Sequence, residues 1–225
     1  ATIGPAAEAG VLYACISHDY GRQAGRGGVG TVMGAKNLKA IAVRGSRSIP
    51  VADVEGYRRL AGEMYAACRA SPGIEAWQRY GTAGVTTWSN EIGAFPTRNF
   101  RSGFFEDHAS LSGERMRQAI VVADKACFGC PSPCGKYSHS PRYGVRVEGP
   151  EYETTALIGG NCALSDIEDV AYANYLCDQL GLDTISAGNA VAFAIECFEK
   201  GIIGTQHTGG LPLRFGDPEV VFTLL

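Results

Sequence analysis

The chain has 225 residues, 45% of them apolar and 19% charged, enough apolar material to bury a core and too much for a disordered chain. Lys and Arg total 20 against 23 Asp and Glu, a net charge of −3 that offers no electrostatic case for nucleic acid as a partner. No apolar run approaches the roughly 20 residues of a membrane-crossing helix, and the 30 glycines have no period of three, which excludes collagen.

Taken in chain order, residues 1–50 read as β-rich and broken by glycine. Two short apolar runs, at 11–16 and 38–43, flank a loop at 21–30. Asp53 then caps a helix whose apolar positions Tyr57, Leu60, Ala61, Met64 and Cys68 follow the i, i+3, i+4, i+7 rule, and Ser71-Pro72-Gly73 stops it. A further helix is expected near 112–123. Ser165 and Glu168 form a capping box for a helix that runs to Leu180 and stops at Gly181. Ser186 opens the next helix, apolar on nearly every face around 191–195 and ended by Gly201. The expected class is α+β, the end of a β-rich domain at 1–50 followed by a mainly helical domain at 51–225. Ala1-Thr2-Ile3-Gly4-Pro5 is no initiator sequence, and 219–225 reads as the start of an apolar helix, so an internal piece of a longer polypeptide is expected.

Gly25, Gly27 and Gly30 fit the letters of G-x-G-x-x-G, the dinucleotide-binding fingerprint. Residues 19–22 are not a strand, however, Gly34 interrupts any helix that follows, and Gly45 stands where an acid is required, so that site is rejected. What remains is either a tight turn with solvated arginines or a loop with Arg22 and Arg26 whose backbone N–H groups can face an anion. Cys127, Cys130 and Cys134 fall within eight residues as C-x2-C-x3-C, held open by Gly129, Pro131 and Pro133. Such thiolates suit an iron–sulfur cluster with a distant fourth ligand, or zinc if His139 completes a Cys3His set. The other five cysteines stand alone, which fits reduced thiols and a cytoplasmic protein. Asp178 and Asp183 frame D-x-x-G-L-D, by itself an ordinary helix stop with a capping aspartate. Glu148, Glu151 and Glu153 cluster around Gly149-Pro150, and one of them becomes an acid/base candidate if it is buried.

Together, the stretch from Gly25 to Val43, the C-x2-C-x3-C, Glu-Gly-Pro-Glu-Tyr-Glu and Asp-Gln-Leu-Gly-Leu-Asp-Thr closely resemble the aldehyde ferredoxin oxidoreductase family. The resemblance implies a bis-pterin cofactor carrying tungsten (or molybdenum) beside a single [4Fe–4S] cluster. It implies oxidation of aldehydes to carboxylic acids, with ferredoxin or an electron-transfer subunit as acceptor, and it allows a homo-oligomer. It assigns Cys127, Cys130 and Cys134 as three cluster ligands, with the fourth expected beyond Leu225. Arg22, Gln23 and Gly25 fall in one pterin contact region, and Asp178, Leu182 and Asp183 in another. Glu153 aligns with a glutamate close to the metal and is expected to be buried, with Glu148 and Glu151 solvated. Tyr172 and Tyr175 stand where some members carry the Glu-x-x-His of an intersubunit metal site, so that bridge is expected to be missing. The scaffold is shared with benzoyl-coenzyme A reductases, which leaves an aromatic thioester as the alternative substrate; a non-enzymatic zinc-stapled domain is the alternative outside the family.

Overall fold

Glycine and proline cut the first fifty residues into short pieces, and the computed structural model, which describes residues 1–225, shows how they assemble. Strands β1 (Thr2–Ile3), β2 (Ile16–His18) and β3 (Arg22–Ala24) form an antiparallel sheet in that order. Pro5 opens the short helix α1 (Pro5–Glu8), its fixed φ and missing N–H being no loss at a helix start. The apolar run at 11–16 turns at Leu12-Tyr13, bridges Leu182 through Ala14 and enters β2 at Ile16. The run at 38–43 contributes only the bridge from Ala40 to Thr2.

Gly34 does not interrupt the chain as expected. It lies inside a second helix, α2 (Val29–Ala35), because a Cβ there would come within 2.1 Å of Ala7 O. Its missing side chain is the condition for α1 and α2 to touch, and that packing outweighs glycine's poor helix propensity.

Helix α3 (Val54–Arg69) starts where expected, with the Asp53 carboxylate accepting from Gly56 N–H at 2.9 Å. It buries no side chain: Tyr57, Leu60 and Met64 are each more than half exposed. Helices α4 (Ile74–Tyr80) and α5 (Thr86–Glu91) follow. The helix expected to reach 123 ends early, as α6 (Gly113–Ala119) capped by Ser112. The β-branched pair Val121-Val122 is drawn instead into β4 (Val121–Lys125), which pairs with β5 (Gly135–Ser140) and through it β6 (Val145–Glu148). All three clustered cysteines lie in the loop between β4 and β5.

A short helix, α7 (Tyr152–Thr154), runs on into a π turn at Thr155–Gly159. Helix α8 (Ile167–Leu180) is capped by Asp166 rather than Ser165. Glu168 does not reach back to close a capping box; its carboxylate accepts from the Ser140 hydroxyl at 2.7 Å and Arg142 N–H at 2.9 Å. Gly181 stops the helix in the left-handed region, at φ 76°. Helix α9 (Thr184–Glu199) begins two residues before the expected Ser186, with Asp183 as its cap, and α10 (Pro218–Leu224) follows. Helices α8 and α9 contribute Val170, Cys177, Val191 and Ile195 to one core, which also takes in Phe95, Phe105, Leu111, Ile3, Ala14 and Met33. The fold is α+β, with two small three-stranded sheets.

Candidate functional site

Backbone pairing lays the N-terminal segment on the D-x-x-G-L-D turn. Cys15 N–H donates to Gly181 O at 2.8 Å, and Asp183 N–H donates to Tyr13 O at 3.1 Å. Gly4 sits so close that a Cβ there would be 2.2 Å from Leu180 O. This seats β3 beside the end of α8, where Gln23 Nε2 donates to Asp178 Oδ1 at 3.1 Å. Gln23 Oε1 in turn accepts from the Ser17 hydroxyl at 2.7 Å, and Asn174 Nδ2 donates to Asp178 Oδ2 at 3.0 Å. Burial, with the Glu148 charge adding to it, pushes the Asp178 carboxyl up to about 7. At neutral pH this group can therefore accept a hydrogen bond or donate one.

Next to it on β3, Arg22 pairs through Nη1 with Glu148 Oε1 at 2.9 Å, and Lys125 Nζ takes the other oxygen at 2.7 Å. Glu148 is almost wholly enclosed by these two cations, its side chain 6% exposed. The second terminal nitrogen of Arg22, Nη2, is buried and has no hydrogen-bond partner. It lies over Gly135, where a Cβ would be 3.1 Å away. A buried cationic donor without an acceptor costs free energy; Glu148 Oε1 beside it is likewise buried without a hydrogen bond, so the pair leaves one donor and one acceptor open at this position.

The cysteine loop leaves β4 after Lys125 and returns at Gly135. Gly129, at φ 72°, turns it so that Cys130 N–H donates to Cys127 O at 3.0 Å. Cys127 and Cys130 are exposed and Cys134 is half-buried. Burial pushes the Cys134 thiol up, the Glu151 charge adds to this, and Arg22 opposes it. A cleft of about 750 Å³ is lined by Arg22, Gln23, Lys125, Cys127 and Phe128, so the glycine-loop motif and the cysteine motif open onto one space.

The donor set decides what that space can hold. No three His, Cys, Asp or Glu side chains converge to hold a single ion. His139 stands four residues along β5 from Gly135, roughly 13 Å at strand spacing, so the Cys3His zinc site is not assembled. Thiolates spread along a loop suit the separated irons of a cluster better than one tetrahedral centre. Beside them, the orphaned Arg22 nitrogen suits an anionic group. Gly25 leaves its main chain open: a Cβ there would meet only the Gln23 side chain, at 3.9 Å.

A family model for domains 2 and 3 of aldehyde ferredoxin oxidoreductase matches residues 59–225, and the model for that enzyme's N-terminal domain matches residues 1–45. The chain belongs to the aldehyde ferredoxin oxidoreductase family. Within this family, the chain is 43% identical to the tungsten-containing aldehyde ferredoxin oxidoreductase of Pyrococcus furiosus over 98% of its length. It is 42% identical to that of Thermococcus kodakarensis, again over 98%. It spans 37% of the length of each of these relatives. The WOR-like subunit of an aliphatic sulfonate oxidoreductase from P. furiosus is 32% identical over 99% of the chain and 36% of that subunit. Among solved structures, the active site complex BamBC of benzoyl-coenzyme A reductase with 1,5-dienoyl-CoA matches with a TM-score of 0.77 at 27% identity, over 99% of this chain and 35% of that one.

Of the residues that the family resemblance assigns, the fold gathers Arg22, Gln23, Asp178 and the cysteine loop. Leu182 turns its side chain into the core and bridges Ala14 through its backbone. Asp183 is first a helix cap, accepting from Ile185 N–H and Ser186 N–H, both at 3.2 Å, with Arg26 farther off at 3.8 Å. Glu153 is not brought into the cleft: it is exposed in the middle of α7, contrary to the expected burial. The carboxylates expected to be solvated are the enclosed ones. Glu148 is held by two cations, and Glu151 accepts from the Thr82 hydroxyl while burial, then the Glu148 and Glu153 charges, push it up. Lys125, Gly135 and Thr82 escaped the sequence reading. Gly135 follows the cysteine motif directly and Lys125 precedes it by two residues, positions that could have marked them, but Thr82 carries no local signal.

Proposed function

We propose that this chain forms one wall of a bis-pterin pocket for tungsten, or molybdenum, and supplies three ligands of an adjoining [4Fe–4S] cluster. In the whole protein this would serve the oxidation of aldehydes to carboxylic acids, with electrons passed to ferredoxin or an electron-transfer subunit in the cytoplasm, where thiols stay reduced. The observation that carries the reading is Arg22: a partly buried side chain whose enclosed Nη2 is unpartnered, directly over the residue that follows Cys134. Bound, the pterin-held metal would supply two-electron chemistry, and the cluster single-electron transfer.

The chain's own residues divide the remaining work. Cys127, Cys130 and Cys134 would hold the cluster, with a fourth ligand from elsewhere in the whole protein. Arg22 offers its free nitrogen to an anionic oxygen, and Gly25 lets the group approach main chain. Gln23 and Asp178 present a fixed donor–acceptor pair, with Leu182 and Asp183 shaping the turn beneath it. Glu153 is the candidate proton acceptor: it lies in the middle of α7, with its side chain exposed on this chain.

Metal analysis of the intact protein, paired with aldehyde-dependent reduction of ferredoxin, tests the reading. Iron with tungsten or molybdenum, and aldehyde turnover, are expected; zinc alone would sink it. The likeness to the BamBC complex favours one second reading, chemistry on an aromatic coenzyme A thioester. Turnover of a dienoyl-CoA by metal-loaded protein that ignores aldehydes would select it.

A further inference from the structure

Two residues beyond the last clustered cysteine, Lys136 is among the most deeply buried side chains of the chain, at 2% exposure. Its ammonium donates to Gln78 O at 2.7 Å, to Pro133 O at 2.8 Å and to Gly135 O at 3.4 Å. Its only carboxylate partner is Asp124 Oδ1 at 3.2 Å, and Asp124 also pairs with Arg117 at 2.5 Å. A buried cation is costly unless its donors are satisfied. Here three neutral carbonyls take donors, and the one carboxylate is shared with Arg117, so the Lys136–Asp124–Arg117 group keeps a net positive charge.

The place where those carbonyls sit is informative. Gln78 belongs to α4, and its side-chain amide also donates to Pro131 O at 3.3 Å. Gly81, just past α4, lies so close that a Cβ there would be 2.2 Å from Cys134 O. The stretch from Pro131 to Gly135 is thus gripped by Gln78, seated on Gly81 and tied back by Lys136. An apolar residue at 136 could fill the volume but would leave Gln78 O and Pro133 O without a donor.

We propose that Lys136 is a positioning residue for the cysteine loop, and that its buried charge raises the reduction potential of the cluster the loop holds. The inference rests on the cluster reading above. Hydrogen bonds around a metal centre orient its ligands, and fixed charge nearby shifts the potential of an iron–sulfur cluster. Removing a positive charge makes addition of an electron less favourable, so the sign of the shift is set in advance.

The test uses the intact metal-loaded protein, comparing wild type with Lys136→Met, Lys136→Arg and Asp124→Asn. Iron loss to a chelator and the cluster's midpoint potential, followed by electron paramagnetic resonance, are the readouts. Lys136→Met is expected to lose iron roughly tenfold faster and to shift the potential negative, with Lys136→Arg restoring most of the potential. Asp124→Asn, at a partly exposed position, removes the partner's charge and is expected to shift the potential positive. If Lys136→Met fails to fold, the Asp124→Asn shift decides alone, and no shift there overturns the proposal. A cluster whose potential and iron retention ignore both changes also overturns it. Wild-type protein without iron would instead sink the cluster reading itself.

Discussion

Asp178 shows how one residue's surroundings turn an ordinary helix-stop aspartate into a titrating group. Its carboxyl rises from the ordinary 3.8 to about 7, chiefly through burial. Between about pH 4 and pH 7 the folded chain therefore holds a proton that the unfolded chain has released, so this group's contribution to stability falls as pH rises. Asp178→Asn cannot ionise. Its melting temperature relative to wild type should climb across that window and level off above it, as calorimetry of the metal-free protein would show. A difference that stays flat with pH would contradict the assignment. Glu153 offers a sharper functional test. Glu153→Gln keeps shape but cannot accept a proton, so turnover of the loaded protein should drop roughly a hundredfold with metal content unchanged. Near-normal turnover would leave Glu153 a surface carboxylate. Glu148 is no neutral control, since its loss would strand Arg22 and Lys125 together.

At the scale of elements, two glycines in neighbouring positions separate packing from binding. Gly34 is where α2 meets α1, and a Cβ would overlap Ala7 O, so Gly34→Ala should destabilise the fold by about 1–3 kcal/mol. Gly25 has open space, so Gly25→Ala should leave the denaturation midpoint nearly unchanged while lowering pterin and tungsten content. Equal loss of stability in both variants would show that Gly25 is needed for the fold rather than for the ligand. The helix caps follow a different logic. Asp53, Asp166, Asp183 and Asp217 each cap a helix through a side-chain acceptor, whereas Ser165, the expected cap of α8, does not. Asp166 and Ser165 are equally good cap residues by type. Packing chose between them, because Glu168, which a Ser165 box would need, is held by Ser140 and Arg142.

The molecule as a whole is unevenly consolidated. Helices α8 and α9 share the core with the π turn, while α3 buries nothing and keeps Tyr57, Leu60 and Met64 exposed. Hydrogen exchange on the folded 225-residue chain should therefore release the α3 amides first and those of α8 and α9 last. Protection of α3 equal to that of α8 would mean that its apolar stripe is covered by something this chain packs against it.

What the sequence by itself determined is what neighbouring residues can settle among themselves. Asp53 satisfies an N–H three residues on, Gly181 takes a left-handed φ that other residues avoid, and C-x2-C-x3-C keeps three thiols on one short loop. Tertiary structure alone decided the rest: that Val121 leaves a helix for a strand, that Gly34 belongs inside one, and that Gln23 meets Asp178. It also decided which two of the three clustered glutamates are enclosed. Each of these depends on a partner that the chain brings in from far away, Ser138, Ala7, Asp178 or Arg22. Burial and charge pairing are set by whatever arrives, and no pattern within a few residues of Glu148, Glu151 and Glu153 records which of them the two cations from β3 and β4 will reach.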